Sequence, residues 1–242
     1  MDIDTTRSAL HNADCLLCGK PLVYAAESRM RVCALCKKSF SSNAACEDGH
    51  FVCDACHTGG MDAAFGLLLH SAERDPLKLF EQVVRLKQVH LHGPEHHVLV
   101  PAVLLTAYRN NGGKIELETA LQEALARGAQ VPGGACGAWG MCGAAAGAGI
   151  FASIVLGSDP LNAAVWPVPQ TLTAACLGRI AHVGGPRCCK RDGRLSIEEA
   201  ARFSAETLEV PMPLSAIVCM YHAQNRECIK ERCPYYPTGQ RR

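Results

Sequence analysis

Four pairs of metal-ligand residues crowd into the stretch from Cys15 to Cys56, and no other feature of the chain limits its fold so tightly. They read Cys15-x2-Cys18, Cys33-x2-Cys36, Cys46-x3-His50 and Cys53-x2-Cys56. A Cys-x-x-Cys turn aims both sulfurs at one ion, and eight ligands suffice for two tetrahedral zinc ions. Structural zinc contributes about 10–16 kcal/mol of apparent binding energy, ample to fold a short stretch with no core of its own. The spacing therefore predicts a two-zinc module over residues 1–60, with Cys15, Cys18, Cys33, Cys36, Cys46, His50, Cys53 and Cys56 as ligands. Which pairs share an ion stays open, and His57 reads as an exposed neighbour of Cys56.

Fifteen cysteines in 242 residues also speak to the redox environment. The number is odd, the chain is not short, and the acidic start Met1-Asp2-Ile3-Asp4 leads into no apolar run. Reduced thiols that serve as ligands or reactive groups fit better than a secreted disulfide scaffold. The expected compartment is the cytoplasm. A net charge of +1 argues against a general nucleic-acid or membrane-surface binder. The run from Val131 to Ser158 is uncharged, but it opens on a glycine loop, and its remainder is Ala, Gly and Ser at the lower edge of the about 17–25 residues a span needs. It reads as a buried, closely packed helix.

Beyond the module the periodicity is helical, so the fold class is mainly α: a helical, cysteine-rich domain over 61–242 behind a small zinc-ribbon or cross-brace-like module. Helices are expected over Met61–His70, Pro76–Lys87 with Asp75 as N-cap and Pro76 at N1, Pro94–Arg109 and Ile115–Arg127. Two more are expected at Gln170–His182 and, from the Ser-x-x-Glu pattern, Ser196–Leu208.

Four further strings carry candidate chemistry. His90-Leu-His92-Gly-Pro-Glu95-His96-His97 gathers four histidines and a carboxylate, side chains suited to metal ligation or proton transfer. It superficially fits the inverted zinc-protease pattern His-x-x-Glu-His. Gly93-Pro94 interrupts the continuous helix that pattern requires, which excludes a peptidase of that type. Cys136 and Cys142 stand at a glycine-rich turn and helix start, where backbone N–H groups favour thiolates. Gly184-Gly-Pro-Arg187-Cys188-Cys189-Lys190-Arg191 sets adjacent thiols among three cations; at most one of the pair serves as a ligand. Cys219, Cys228 and Cys233-Pro234 are three cysteines near the end of the chain, suited with Cys188 to a four-thiolate site for a [4Fe-4S] cluster or a zinc ion.

The stretch Cys46-Glu-Asp-Gly-His50-Phe-Val-Cys53-Asp-Ala-Cys56 resembles the middle of a RING-type cross-brace, without the Cys-x-x-Cys pair that normally follows. Over residues 15 to 236 the strings His92–His97, Gly133–Cys136 through Cys142-Gly-Ala-Ala, Gly184–Arg191 and Cys228–Pro234 resemble a family of unknown function found in anaerobic bacteria and methanogenic archaea. Some relatives there carry a fused methyltransferase-like domain. The glycine helix is weakly similar to a redox-associated cysteine family. None of these resemblances implies a reaction.

The residues themselves suggest an iron–sulfur or zinc enzyme of anaerobic metabolism. Its catalytic set would be His92, Glu95, His96, Cys136, Cys142, Cys189 and Arg187, with Cys188, Cys219, Cys228 and Cys233 holding a cluster and the cations binding a small anionic substrate. Sulfur transfer, desulfuration and one-carbon transfer each fit. The alternative is a non-catalytic zinc protein that docks, through its module, onto a methyltransferase partner; that reading predicts zinc only and no colour.

Overall fold

The computed structural model describes residues 15–58 and 61–237. The first part is a hairpin of β1 (Leu22–Val32) and β2 (Ser39–Cys46), paired antiparallel from Leu22↔Cys46 to Val32↔Ser39 with a register shift between Tyr24 and Arg29. Most of its side chains are exposed, and a lone two-stranded hairpin is at best marginal in water. It is clamped at both ends by cysteine turns. Two of these have the same build. Gly19 and Lys37, both at positive φ, donate their N–H groups to the Cys15 and Cys33 carbonyls, and the Cys15 and Cys33 N–H groups donate to Lys20 and Lys38. A short helix, α1 (Asp54–Thr58), follows the last pair.

The remainder is helical around α4 (Glu95–Asn110), which is buried on nearly every face from Glu95 to Tyr108. A helix that is apolar all round belongs at the centre of a bundle. Around it stand α2 (Asp62–His70), α3 (Pro76–Val83), α5 (Leu117–Gly128), α7 (Gly143–Leu156) and α9 (Cys189–Thr207), with α8 (Pro167–Val183) outside α7 and a four-residue α6 (Ala135–Ala138) before it. Asp75 caps α3 as its sequence predicts, its Oδ1 accepting from Leu77 and Lys78 at 2.8 and 3.3 Å. Its Oδ2 accepts from the Ser215 N–H at 2.7 Å, so the cap also pins the C-terminal segment.

The Ala/Gly run is a buried 14-residue helix, and among the described residues no helix is long and apolar enough to cross a membrane. Its glycines are needed for close approach. Pro101 has no N–H for the His97 carbonyl, and α5 and α7 press against that carbonyl through Gly128 and Gly147, where a Cβ would stand only 2.9 and 3.1 Å away.

One expected boundary is wrong. The Ser-x-x-Glu pattern places a helix start at Ser196, yet α9 starts at Cys189 and Ser196 is fully buried inside it, its hydroxyl unpartnered. The basic stretch before it forms the buried start of that helix: Lys190, Arg191, Asp192 and Arg194 are all at most 4% exposed.

Gly147→Ala should therefore lower stability by about 1–3 kcal/mol through forced displacement of packed backbone. Gly66→Ala, at an exposed α2 position with open space around it, should raise stability by about 0.5–1 kcal/mol. Denaturant unfolding of the two variants checks both signs.

Candidate metal centres and cleft

In the N-terminal module the ligands converge by alternate pairs. Cys15, Cys18, Cys46 and His50 form one group, and Cys33, Cys36, Cys53 and Cys56 the other, the four ligand atoms of each lying within 4.8 Å of one another. First with third and second with fourth is the interleaved order of a cross-brace, which the spacing alone left open. Cys18 and Cys46 Sγ are 3.7 Å apart, as are Cys36 and Cys53 Sγ, and His50 Nδ1 is 3.4 Å from Cys18 Sγ. Tetrahedral ligands about 2.3 Å from an ion stand about 3.8 Å apart, so both groups match one ion each. Backbone N–H groups prepare the sulfurs for the charged form. Burial pushes the Cys33 thiol up, but N–H groups of Cys53, Cys36 and Leu35 outweigh it and bring it down to about 6. At Cys46 burial is likewise outweighed, chiefly by the His50 N–H, and the thiol falls to about 7.

The module is also one wall of a cleft. Asp54 accepts from the Gly133 N–H at 2.8 Å, and the Arg187 guanidinium lies 5.5 Å from the Tyr24 ring centre. Between hairpin and helices is a cavity of about 970 Å³ whose lining includes Tyr24, Asn43, Cys136, Cys142, Arg187 and Arg191. A narrower chamber of about 120 Å³ shares Tyr24, Asn43, Cys136 and Arg187 with it and reaches His57, His92, His97 and Cys189. Of the predicted catalytic residues, Cys136, Cys142, Arg187, His92 and Cys189 thus face connected space. Glu95 and His96 line neither cavity. His96 is buried against Phe80 with Nδ1 on the Gly93 carbonyl at 3.1 Å, and burial, reinforced by the Lys190 charge, holds it neutral.

Burial reverses the expected thiol reactivity. Cys142 caps α7, whose Ala144 and Ala145 N–H groups favour the thiolate, yet desolvation and then the nearby Asp192 charge push it up to about 12. Cys188 is pushed up to about 11, again by burial first, and Cys189 higher still despite Arg187. Cys136 is exposed in the cleft. Cys176 is fully buried in the core.

The adjacent cysteines face different sites. Cys189 lines the narrow chamber, while Cys188 lines a third, small one together with Cys219, Cys228 and Cys233. Sequence separations of up to 45 residues thus close on one spot, with Lys190, Arg191 and Arg194 in the same lining. Among the described residues no three of these sulfurs stand within 4.8 Å of one another, so they are spread wider than a single ion requires. The void between them is about 20 Å³, and a larger group would need the thiols to swing outward around it. Arg194 is held charged above its ordinary range: burial opposes this, but Glu81 at 2.8 Å and Cys219 outweigh it. Arg191 bonds the Asp192 carboxylate at 2.9 Å and lines the cleft as well, so it links the two spaces.

Sequence reasoning missed Tyr24 and Asn43 as cleft walls, because nothing in an exposed hairpin marks what it will lie against. It also missed His57, whose ring meets that of His90 edge-on at 5.2 Å.

The sequence profile described as "Family of unknown function (DUF5714)" matches residues 65–236. No curated protein and no solved structure matches the chain. The match starts beyond the N-terminal cysteine pairs and takes in every residue of the cleft's helical wall.

Cys53→Ser should remove one of two module-bound metal equivalents while leaving the helices intact. Cys188→Ser should leave both in place. Metal analysis beside far-ultraviolet circular dichroism reads the outcome, and two equivalents retained in Cys53→Ser would contradict the pairing.

Proposed function

We propose, from the premise that the chain belongs to this family of unknown function, that it is a metalloenzyme with zinc in both module sites and an iron–sulfur cluster held by Cys188, Cys219, Cys228 and Cys233. One observation carries the reading: four cysteines from two distant segments line a single chamber with three buried cations. Glu81 and Asp192 pair two of these cations, and the positive charge left over on the chamber wall favours an anionic occupant. Four thiolates with a cluster are such an occupant; the sulfurs are spread beyond single-ion spacing and would swing outward around a multi-iron group.

When bound, the cluster would supply an electron relay or a Lewis acid. The chain's own residues would do the rest. Arg187, in the cleft beside exposed Cys136, would bind an anionic substrate, and the aromatic Tyr24 face behind it would fix the guanidinium. Cys136 is the accessible thiol for sulfur chemistry, whereas Cys142 and Cys189 are held as neutral thiols by burial. His92 is kept neutral, burial and the Arg187 charge lowering it to about 4, and would offer a neutral imidazole to the narrow chamber. Sulfur transfer and desulfuration use this set most directly; one-carbon transfer would use Cys136 as the acceptor thiol.

Protein purified without oxygen should be brown and contain about four irons and four acid-labile sulfides per chain beside two zincs. Cys228→Ser and Cys233→Ser should lose iron and colour but keep the zinc. A colourless, air-stable protein with zinc alone would replace this reading with that of a zinc-bearing docking protein. Arg187→Ala should weaken binding of a small anionic ligand about tenfold, the effect of about 1.4 kcal/mol, with iron content unchanged.

A further inference from the structure

At the seam between module and helical domain, three side chains from two segments meet. His57 comes from α1, His90 from the turn before α4, and Glu95 from the first turn of α4; their ligand atoms lie within 4.8 Å of one another. We infer that His57, His90 and Glu95 form a third metal site, distinct from both cysteine sites of the module and from the four-cysteine chamber, that holds a divalent first-row transition ion through two imidazoles and a carboxylate.

The state of Glu95 is the strongest support. Its carboxylate is fully buried, and one oxygen, Oε2, has no hydrogen-bond partner. The other accepts from the His90 N–H at 2.8 Å and lies 3.0 Å from His90 Nδ1. A buried carboxylate with a vacant oxygen is costly unless a cation meets it. The nearest candidate, Lys190, is committed elsewhere: its Nζ donates to the His90 carbonyl at 2.8 Å and sits 4.7 Å from the Tyr221 ring centre.

Two further observations agree. His57 Nδ1 is buried and likewise without a hydrogen-bond partner. Gly93 leaves room for the carboxylate, since a Cβ there would collide with both Glu95 oxygens. The separation of His90 Nδ1 from Glu95 Oε1 also suits two ligands on one ion: donors about 2.0–2.1 Å from a metal stand about 3.0–3.4 Å apart. A plain ion pair explains the His90–Glu95 contact but not the vacant Oε2, the orphaned His57 Nδ1 or the meeting of the three side chains.

Three protein ligands leave coordination positions open, as in catalytic rather than structural sites. His57 and Gly93 both line the narrow chamber that holds His92, Arg187 and Cys189. An exchangeable ligand on the ion, water or an anionic oxygen donor, would therefore be reached from that chamber. Imidazole and carboxylate donors suit a borderline divalent ion better than the thiolate cages do.

The test is titration of cobalt(II) into the full chain with zinc in its cysteine sites, carried in a Cys228→Ser background so that the four-cysteine chamber does not contribute. The expected result is one cobalt per chain with weak visible bands of nitrogen and oxygen coordination and no thiolate charge-transfer absorption. Glu95→Gln, which keeps the shape of the side chain, should lower cobalt affinity tenfold or more, and so should His57→Ala on the other side of the seam. No cobalt bound, a charge-transfer band, or affinity unchanged in both variants would overturn the site while leaving the iron–sulfur proposal standing.

Discussion

The buried cationic turn that opens α9 is the constraint on which the rest of the molecule depends. Lys190, Arg191 and Arg194 lose nearly all contact with water, which costs several kcal/mol per ion unless each charge is answered. The answers come from every direction. Glu81 of α3 holds Arg194, Asp192 and the Pro186 carbonyl hold Arg191, and the His90 carbonyl holds Lys190. Tyr221 and Tyr235 from the C-terminal segment cover two of the cations with their rings. A segment whose described residues hold a single short 3-10 turn, Lys230–Arg232, is thereby bound firmly enough to deliver Cys219, Cys228 and Cys233. The same turn carries Arg187 and Cys189 into the narrow chamber and Arg191 into the cleft.

The module is built on two groups of candidate metal ligands rather than on a core. Its hairpin has few buried side chains, and its cysteine turns supply the cross-links that a core would otherwise provide. Because alternate pairs share a ligand group, the two groups interlock across the hairpin and fix its orientation. That rigidity matters beyond the module, since Tyr24, Asn43 and Asp54 complete cavities whose other walls belong to the helices.

Local electrostatics and burial pull the thiols in opposite directions, and the balance differs from one position to the next. In the module, backbone N–H groups overcome desolvation at Cys33 and Cys46. Around α7 and α9 desolvation overcomes the helix N-terminus and the neighbouring arginine, so Cys142 and Cys189 are poor nucleophiles. Burial raises Cys188 and Cys233 of the C-terminal chamber in the same way, which suits ligation better than nucleophilic attack.

Much of this was legible in the residues. Ligand spacing fixed the eight module positions, since a Cys-x-x-Cys turn can present its sulfurs in only one way, and apolar periodicity with Asp75-Pro76 located the helices. The start of α9 was not legible, because a run of Arg and Lys ordinarily signals a solvated turn and only partners distant in sequence make its burial tolerable. The pairing of the module's candidate metal ligands, the closing of Cys188 on three cysteines up to 45 residues away, and the meeting of His57 with His90 and Glu95 belong to the same class. By itself the sequence determined the metal-binding chemistry, the helical class and the positions of the local turns, all of which follow from neighbours along the chain. The tertiary structure alone decided which ligands share a site and which thiols reach solvent, because those depend on packing between segments that no local pattern encodes.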